Sequence, residues 1–236
     1  MFTIQLAQHY FCIDNRYQYI QKLCHNYITG DIDIPPVRVS SQEIEYENRD
    51  KKKYHPGYLE SLAVYRKICT RLISDNIILF HCSALKIDGE AVLFTAPSGT
   101  GKSTHAALWR QCFGDRVRII NDDKPLIMLD NDKALVYGTP WSGKHGLDNN
   151  ESAPVSAVFF LEQAKDNSCI RISPQDAYPV ILNQTFRPDS ADSVKRVLSM
   201  TKRFSHNAAL FRLRCNMSAE AADVAYSTWK GKKYET

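Results

Sequence analysis

The segment Ala96-Pro-Ser-Gly-Thr-Gly-Lys-Ser103 constrains the fold of this chain more than any other feature, because it has the form Ala/Gly-x-x-x-x-Gly-Lys-Ser/Thr. This pattern is typical of a loop between a strand and a helix, where small residues let backbone N–H groups close around phosphate oxygens. In such a loop Lys102 reaches the outer phosphates and the Ser103 hydroxyl binds Mg²⁺. The alternative interpretation is an ordinary glycine-containing turn.

The residues on either side of the segment have the patterns that such a loop requires. Residues 91–95 form an apolar, β-prone run that enters the loop, and residues 102–112 favour a helix that ends at Gly114. The positive end of that helix points toward a bound anion. The sequence therefore predicts a phosphate-binding loop. Its predicted nucleotide-binding residues are Pro97, Ser98, Gly99, Thr100, Gly101, Lys102, Ser103 and Thr104.

Two adjacent carboxylates, Asp122 and Asp123, follow Lys102 after about one helix and one strand. This spacing supplies carboxylates where a metal ion and a phosphoryl acceptor need them. Environment can give two such neighbours different proton affinities and therefore different roles. The alternative interpretation is a turn or a helix cap, in which neighbouring Asp residues are also common.

The composition is that of an ordinary globular chain of 236 residues, with 44% hydrophobic and 24% charged residues. No apolar run approaches the roughly 20 residues that span a bilayer, and the N-terminus lacks the pattern of a signal peptide. We therefore expect a cytoplasmic protein without a membrane partner. The net charge of +4 suits an anionic nucleotide and does not by itself indicate nucleic-acid binding. The seven cysteines are dispersed, without a C-x-x-C pair, and are expected to be reduced thiols.

The pattern of strands and helices divides the chain near residue 75. Residues 1–75 are expected to form an α+β segment packed on the core, and residues 76–236 the domain that carries the predicted phosphate-binding loop. Asp88-Gly89 lies between two apolar runs and predicts a β-hairpin. The polar stretch 138–153 has no regular pattern, and a loop of this length is usually functional or mobile.

The short spacing between the loop and the Asp pair, with a β-hairpin before the loop and His81 at its start, resembles the catalytic domain of HPr serine kinase/phosphorylase. More remotely, it resembles ATP-type phosphoenolpyruvate carboxykinase. The similarity runs from residues 80–81 to residues 122–124, and more loosely to about residue 161. The first 75 residues do not resemble the HPr kinase N-terminal domain. The chain is similar to the smaller HPr-kinase-related proteins, which include kinases that modify ribosomally made peptides.

The resemblance implies an α/β fold in which a P-loop-containing mixed β-sheet core carries flanking helices. It also implies that residues 76–236 form a P-loop kinase-like catalytic domain. It implies ATP and Mg²⁺ as cofactors, with Lys102 on the β- and γ-phosphates and Ser103 on the metal. One carboxylate of Asp122 and Asp123 serves as general base toward the acceptor hydroxyl, and the other helps to hold the metal. Asp122 is favoured as the base, although the sequence does not separate the two. His81 matches a histidine near the transferred phosphate.

The chain departs from this family at the later Arg-Gly signature, where Thr139-Pro-Trp-Ser-Gly-Lys-His-Gly146 stands instead. Lys144 and His145 could supply the missing positive charge, and Lys144 is included among the predicted catalytic residues. Weaker cationic candidates elsewhere in the chain are Arg187, Arg212 and Arg214. Trp141 could stack on a substrate or anchor the loop.

The function that the resemblance implies is a Mg-ATP-dependent kinase that transfers the γ-phosphoryl group to a hydroxyl, in the first instance a Ser of a peptide or small protein. One alternative is a small-molecule hydroxyl kinase. Another is a nucleotide-binding regulatory module with little turnover. HPr kinases assemble into hexamers, so the resemblance also allows an oligomer, while the different first third of this chain weakens that implication.

Overall fold

The computed structural model describes residues 1–48 and 51–231. The chain divides into two compact units, Met1–Asp75 and Asn76–Thr236. In the described residues, no helix has both the length and the apolar character needed to cross a membrane. The packing of the first segment on a catalytic domain stays a prediction.

The first unit contains an antiparallel three-stranded sheet in the order β2-β1-β3, together with helices. Its elements are β1 (Phe2–Leu6), β2 (His9–Ile13), α1 (Gln18–Leu23), β3 (Ile28–Thr29), α2 (Ser41–Tyr46) and α3 (Pro56–Leu72). The helical periodicity of residues 15–28 predicts a longer helix than α1, which gives way to a 3-10 turn at His25–Tyr27 and then to β3. The long apolar stripe of α3 is confirmed as a helix with one buried face.

The second unit is a mixed sheet with flanking helices, as expected for the coarse fold class. Its elements in chain order are β4 (Ile77–Leu79), β5 (Ser83–Ile87), β6 (Glu90–Thr95), α4 (Lys102–Phe113), β7 (Val117–Asn121), β8 (Leu126–Asp130), β9 (Lys133–Tyr137), β10 (Ser152–Gln163), β11 (Ser168–Arg171), α5 (Pro174–Gln184), α6 (Ala191–Phe204), β12 (Ala209–Cys215) and α7 (Glu220–Lys230). The strands follow the order β4-β8-β9-β10-β6-β5-β7, and β12 joins β10 to β11.

Strand β10 connects two parts of this sheet. Its first residues run antiparallel to β9, and its later residues run parallel to both β6 and β12. The other ladders are antiparallel, including the β5–β6 hairpin predicted at Asp88-Gly89. The turn of that hairpin has φ angles of 52° at Asp88 and 84° at Gly89, which explains the preference for these residue types there.

A hydrophobic core fixes α4 against the sheet. Trp109 on α4 is fully buried, and its ring lies 5.3 Å from that of Phe94 on β6 and 6.1 Å from that of Phe159 on β10. Residues of α7 belong to the same buried cluster. Because α4 begins directly after the 96–101 loop, this packing also holds the loop at the end of β6.

Two pairings bring distant residues to the same end of the sheet. Strand β5 pairs with β7, and Ala84 lies opposite Asn121, the last residue before the Asp pair. On the other side of His81, Phe80 forms an antiparallel bridge with Thr185, just after α5. The chain before β5, the end of β7 and the end of α5 therefore meet.

Candidate active site

The loop at residues 96–101 joins β6 to α4 and depends on two glycines. Gly99 and Gly101 have φ angles of 84° and 113°, in the left-handed region that favours glycine. A side-chain carbon added at either position would meet no atom within 4 Å, so conformation rather than crowding requires glycine. The N–H and hydroxyl of Thr100 both donate to the Pro97 carbonyl, at 3.3 and 2.9 Å. The predicted sequence of strand, loop and helix is confirmed.

Most side chains of the predicted nucleotide-binding segment reach solvent. Pro97, Ser98 and Thr104 are exposed, and Ser103 is half-buried in the first turn of α4. Among the residues that the structure describes, the hydroxyls of Ser103 and Thr104 form no hydrogen bond. They are therefore available to a ligand, and the binding of a nucleotide by this segment stays a prediction.

Lys102 differs from its neighbours because it is buried, with only 8% of its surface exposed. Its ammonium group folds back over the loop and donates to the Ala96 carbonyl at 3.1 Å. Burial lowers the pKa of Lys102, while the charges of Asp123, Cys82 and Asp122 act in the opposite direction. The structure therefore brings the loop lysine into the electrostatic field of the Asp pair.

The two carboxylates of the Asp pair have different surroundings. Asp122 is buried, and its Oδ1 accepts a hydrogen bond of 2.6 Å from the Ser83 hydroxyl. Its Oδ2 accepts no hydrogen bond from the described residues. This oxygen is not completely enclosed by protein atoms. Asp123 instead lies between two basic side chains, with Oδ1 at 2.9 Å from His81 Nε2 and Oδ2 at 2.9 Å from Lys124 Nζ.

These surroundings affect the ionisation of Asp123. Burial by itself raises the pKa of this carboxyl, but the hydrogen bonds and positive charges of His81 and Lys124 outweigh that effect and lower the pKa to about 2. Asp123 is therefore a carboxylate throughout the neutral range. A permanently ionised group suits a cation ligand better than a proton acceptor.

His81 is held on both sides of its ring. Nδ1 lies 2.9 Å from the side-chain oxygen of Gln184, and Nε2 faces Asp123. The backbone around the ring is fixed as well, because the His81 N–H donates to the Gln184 carbonyl at 2.8 Å and the Thr95 hydroxyl donates to the His81 carbonyl at 3.0 Å. The ring is therefore fixed in position by contacts at both nitrogens and at its backbone.

Asn121 organises the backbone that carries the Asp pair. Its side-chain oxygen accepts the N–H groups of Asp123 and Lys124, at 2.8 and 2.7 Å. Its amide donates to the Thr139 carbonyl at 2.8 Å, and the Thr139 hydroxyl in turn donates to the Lys124 carbonyl at 2.8 Å. Asn121 is fully buried, so these bonds are shielded from competing water.

The polar stretch after β9 is a folded loop rather than the flexible connection that its composition suggests. The Ser142 hydroxyl donates to Asp148 at 2.7 Å, and a side-chain carbon at Gly138 would lie 1.9 Å from the Asn149 carbonyl oxygen. Gly143, with a φ angle of 78°, packs on the Asp pair: an added carbon there would lie 3.1 Å from the Asp123 Cβ. This loop therefore forms one wall of the site.

The loop presents Lys144 and His145 to solvent. Both side chains are exposed, and neither forms a hydrogen bond or ion pair with residues 1–48 or 51–231. The structure thus brings together Lys102, Asp122, Asp123 and His81, whereas Lys144 lies beside the site without a contact to them. Its predicted catalytic role stays a prediction.

The weaker candidates lie apart from this cluster or serve the fold. Arg212 pairs with Glu162 at 3.2 Å, and Arg187 and Arg214 are exposed. Trp141 is buried, with 4% of its surface exposed, so it anchors the loop.

Several residues of the site escape the sequence-based prediction. They are Ser83, Asn121, Lys124, Gly143 and Gln184. Asn121 and Lys124 adjoin the Asp pair in the sequence, and this position next to predicted site residues could have identified them. Gln184 has no such signal, because it reaches His81 only through the bridge between the segment before β5 and the end of α5.

Metal-binding residues are not preassembled as a protein-only cage. In the described parts of the chain, no group of three or more His, Cys, Asp or Glu residues is arranged to hold a metal ion. A shallow cleft of about 270 Å³ lies on the outer side of the same loop, lined by residues that include Arg110, Ile119 and Leu147. It contains none of the predicted site residues, and the residue cluster rather than this cleft defines the candidate site.

The fold and the cluster define a mixed α/β protein in which a glycine-containing loop faces a pair of aspartates at one end of the sheet. The family model described as "SynChlorMet cassette protein ScmC" matches residues 58–224, and the chain belongs to this family.

Two further comparisons were made. No curated protein matches the chain. Among solved structures, the HPr(Ser) kinase/phosphatase from Coxiella burnetii is similar at 13% sequence identity with a TM-score of 0.31, over 53% of this chain and 95% of that one.

Proposed function

We propose that this protein is a Mg-ATP-dependent phosphotransferase that transfers the γ-phosphoryl group to a hydroxyl, most suitably a Ser of a peptide or small protein. The observation that carries the proposal is the meeting of the buried Lys102 with the Asp pair, at the mouth of a loop of the phosphate-binding pattern. Phosphoryl transfer asks the protein mainly to position the groups and to neutralise charge, and this cluster contains the groups for both tasks.

In this proposal, the 96–103 segment binds the nucleotide. The open backbone around Gly99 and Gly101 leaves room for phosphate oxygens, and α4 presents its N-terminus to them. When the nucleotide binds, the Lys102 ammonium gives up its hydrogen bond to the Ala96 carbonyl and contacts the phosphates instead. Bound Mg²⁺ supplies further neutralisation of phosphate charge, and the Ser103 hydroxyl and the Asp123 carboxylate are oxygen donors of the kind that it prefers.

The unequal surroundings of the two carboxylates assign their roles in this mechanism. Asp123 is held ionised by His81 and Lys124, which suits a metal ligand. Ser83 fixes Oδ1 of Asp122, while Oδ2 accepts no hydrogen bond from the described residues, which suits a base that accepts the proton of an acceptor hydroxyl. The choice of a peptide or protein Ser as acceptor rests on the resemblance of the residues around the loop to HPr-kinase-related proteins.

The test is transfer of label from γ-labelled Mg·ATP to the fractions of a cell extract. The variants Lys102→Ala and Asp122→Asn should each lower transfer by about 10²-fold or more. Matched controls are Lys195→Ala and Asp192→Asn on the exposed face of α6, which should transfer like the unmodified protein.

The outcomes separate the three candidate functions. Label on a peptide or protein, lost in the Lys102 variant, supports the proposal and reveals the acceptor. Label confined to a small metabolite contradicts a peptide or protein acceptor and favours a small-molecule kinase. Binding of ATP without transfer to any fraction contradicts the phosphotransferase and favours a regulatory module.

A further inference from the structure

The ion pair between Lys124 and Asp123 brings to the Asp pair a cation that the sequence analysis did not propose. Lys124 Nζ lies 2.9 Å from Asp123 Oδ2, and about one-third of the lysine side chain is exposed (33%), against 21% for the aspartate. The pair is therefore partly buried but open on one side. Lys144, in contrast, is exposed and bonds to none of the described residues.

The backbone of Lys124 is fixed more firmly than its side chain. Its N–H is bound by Asn121 at 2.7 Å, and its carbonyl accepts the Thr139 hydroxyl at 2.8 Å. The four methylenes of a lysine let the ammonium swing while these anchors stay in place. The ammonium of Lys124 can therefore change its position while its backbone stays in place.

Both oxygens of Asp123 already have partners, His81 at Oδ1 and the Lys124 ammonium at Oδ2. A divalent cation that binds this carboxylate must compete with the Lys124 ammonium, because like charges within a few ångströms repel. His81 is held by Gln184 both at its ring and at its backbone. Of the two side chains, the longer and more flexible Lys124 is the one that can move.

We propose that Lys124 competes with the metal ion for the Asp123 carboxylate and neutralises charge during phosphoryl transfer. When a divalent cation binds Asp123, the Lys124 ammonium is displaced from this carboxylate. It then moves to the transferred phosphoryl group. No covalent bond changes in this step, since one ion pair is exchanged for another. The inference rests on the proposed function and assigns to Lys124 the positive charge that the sequence alone assigned to Lys144.

The exchange predicts effects of opposite sign on two measurements. Lys124→Ala removes the competing cation, so the affinity for Mn²⁺ without nucleotide should rise by about 2- to 5-fold, the range expected for a partly exposed ion pair. The same substitution removes the neutralising charge and should lower phosphoryl transfer by about 10²-fold or more. A purely structural lysine would change both in the same, unfavourable direction.

The experiment uses the full chain and titrates Mn²⁺ by electron paramagnetic resonance, alongside transfer from labelled ATP. Lys124→Arg keeps the charge and should stay within about 10-fold of the unmodified protein in both measurements. Lys195→Ala, on exposed α6, should leave Mn²⁺ affinity unchanged. Thermal unfolding checks that each variant is folded.

Two results would overturn the inference. One is an unchanged or weaker Mn²⁺ affinity in folded Lys124→Ala, whether or not the protein transfers phosphate. The other is transfer that survives in Lys124→Ala but is lost in Lys144→Ala. Because Mn²⁺ binding is measured without ATP, failure of the proposed function, seen as no transfer by the unmodified protein, is distinguishable from failure of the ion-pair exchange.

Discussion

The imidazole of His81 lies 2.9 Å from the carboxylate of Asp123. His81 precedes the β5–β6 hairpin and Asp123 follows β7, so the contact joins two segments that flank the loop and its helix. With Lys124 on the other oxygen, it keeps Asp123 ionised against the effect of burial.

The first prediction concerns stability in acid. The folded-state pKa of Asp123, about 2, lies below the ordinary value of 3.8 for this side chain, so the stabilisation by this carboxylate is present above pH 4 and is lost as the pH falls toward 2. The loss amounts to about 2 kcal/mol. Urea unfolding as a function of pH should show it in the unmodified protein. This acid-dependent loss in the free energy of unfolding should disappear in Asp123→Asn, become smaller in His81→Gln and persist in the exposed control Asp192→Asn.

A second pH window belongs to His105. Its Nε2 accepts the indole N–H of Trp109 at 3.0 Å, its Nδ1 is buried without a partner, and burial lowers its pKa from 6.5 to about 4. The unfolded chain therefore takes up this proton first, and stability falls between about pH 6.5 and 4 by about 3 kcal/mol.

Replacement by His105→Gln, which retains an acceptor for Trp109, should flatten the stability profile in that window. His145→Gln, an exposed control, should leave the profile unchanged. If the slope between pH 6.5 and 4 survives in folded His105→Gln, another group is responsible for it.

The third prediction separates backbone strain from crowding of the Asp pair. Gly143 and Gly146 both have positive φ angles, 78° and 59°, but only a side chain at Gly143 would press on Asp123. Gly143→Ala and Gly146→Ala should each lower the free energy of unfolding by about 1–2 kcal/mol, the cost of a left-handed alanine. Only Gly143→Ala should also reduce phosphoryl transfer; equal transfer by both variants would show that the loop wall does not matter.

Asn121 should be among the most sensitive positions of the second unit. Asn121→Ala leaves the backbone N–H groups of Asp123 and Lys124 without their acceptor in a buried setting, so we expect a loss of about 2–4 kcal/mol in the free energy of unfolding. Chemical denaturation measures it. The control Asn183→Ala, exposed on α5, should change the midpoint little. A midpoint like that of the control would mean that water replaces the amide.

The local elements around the loop could be predicted because their signals are local. Alternating or continuous apolar runs gave β5, β6 and β7, and the Asp88-Gly89 turn gave the hairpin. The prediction failed where short segments depend on their neighbours: the helical periodicity of residues 15–28 is divided between α1, a 3-10 turn and β3. Pairing with another strand outweighs helix propensity in such short segments.

The sequence by itself determined the 96–101 loop, since its left-handed glycines and the start of α4 follow from residue types within a few positions. It also placed the Asp pair at the end of β7. Only the tertiary structure decided what surrounds these carboxylates: Gln184 behind His81, Gly143 against Asp123, and Lys124 rather than Lys144 in the ion pair. Conformation is set by neighbours along the chain, whereas charge and proton affinity are set by neighbours in space, which only the pairing of strands brings together.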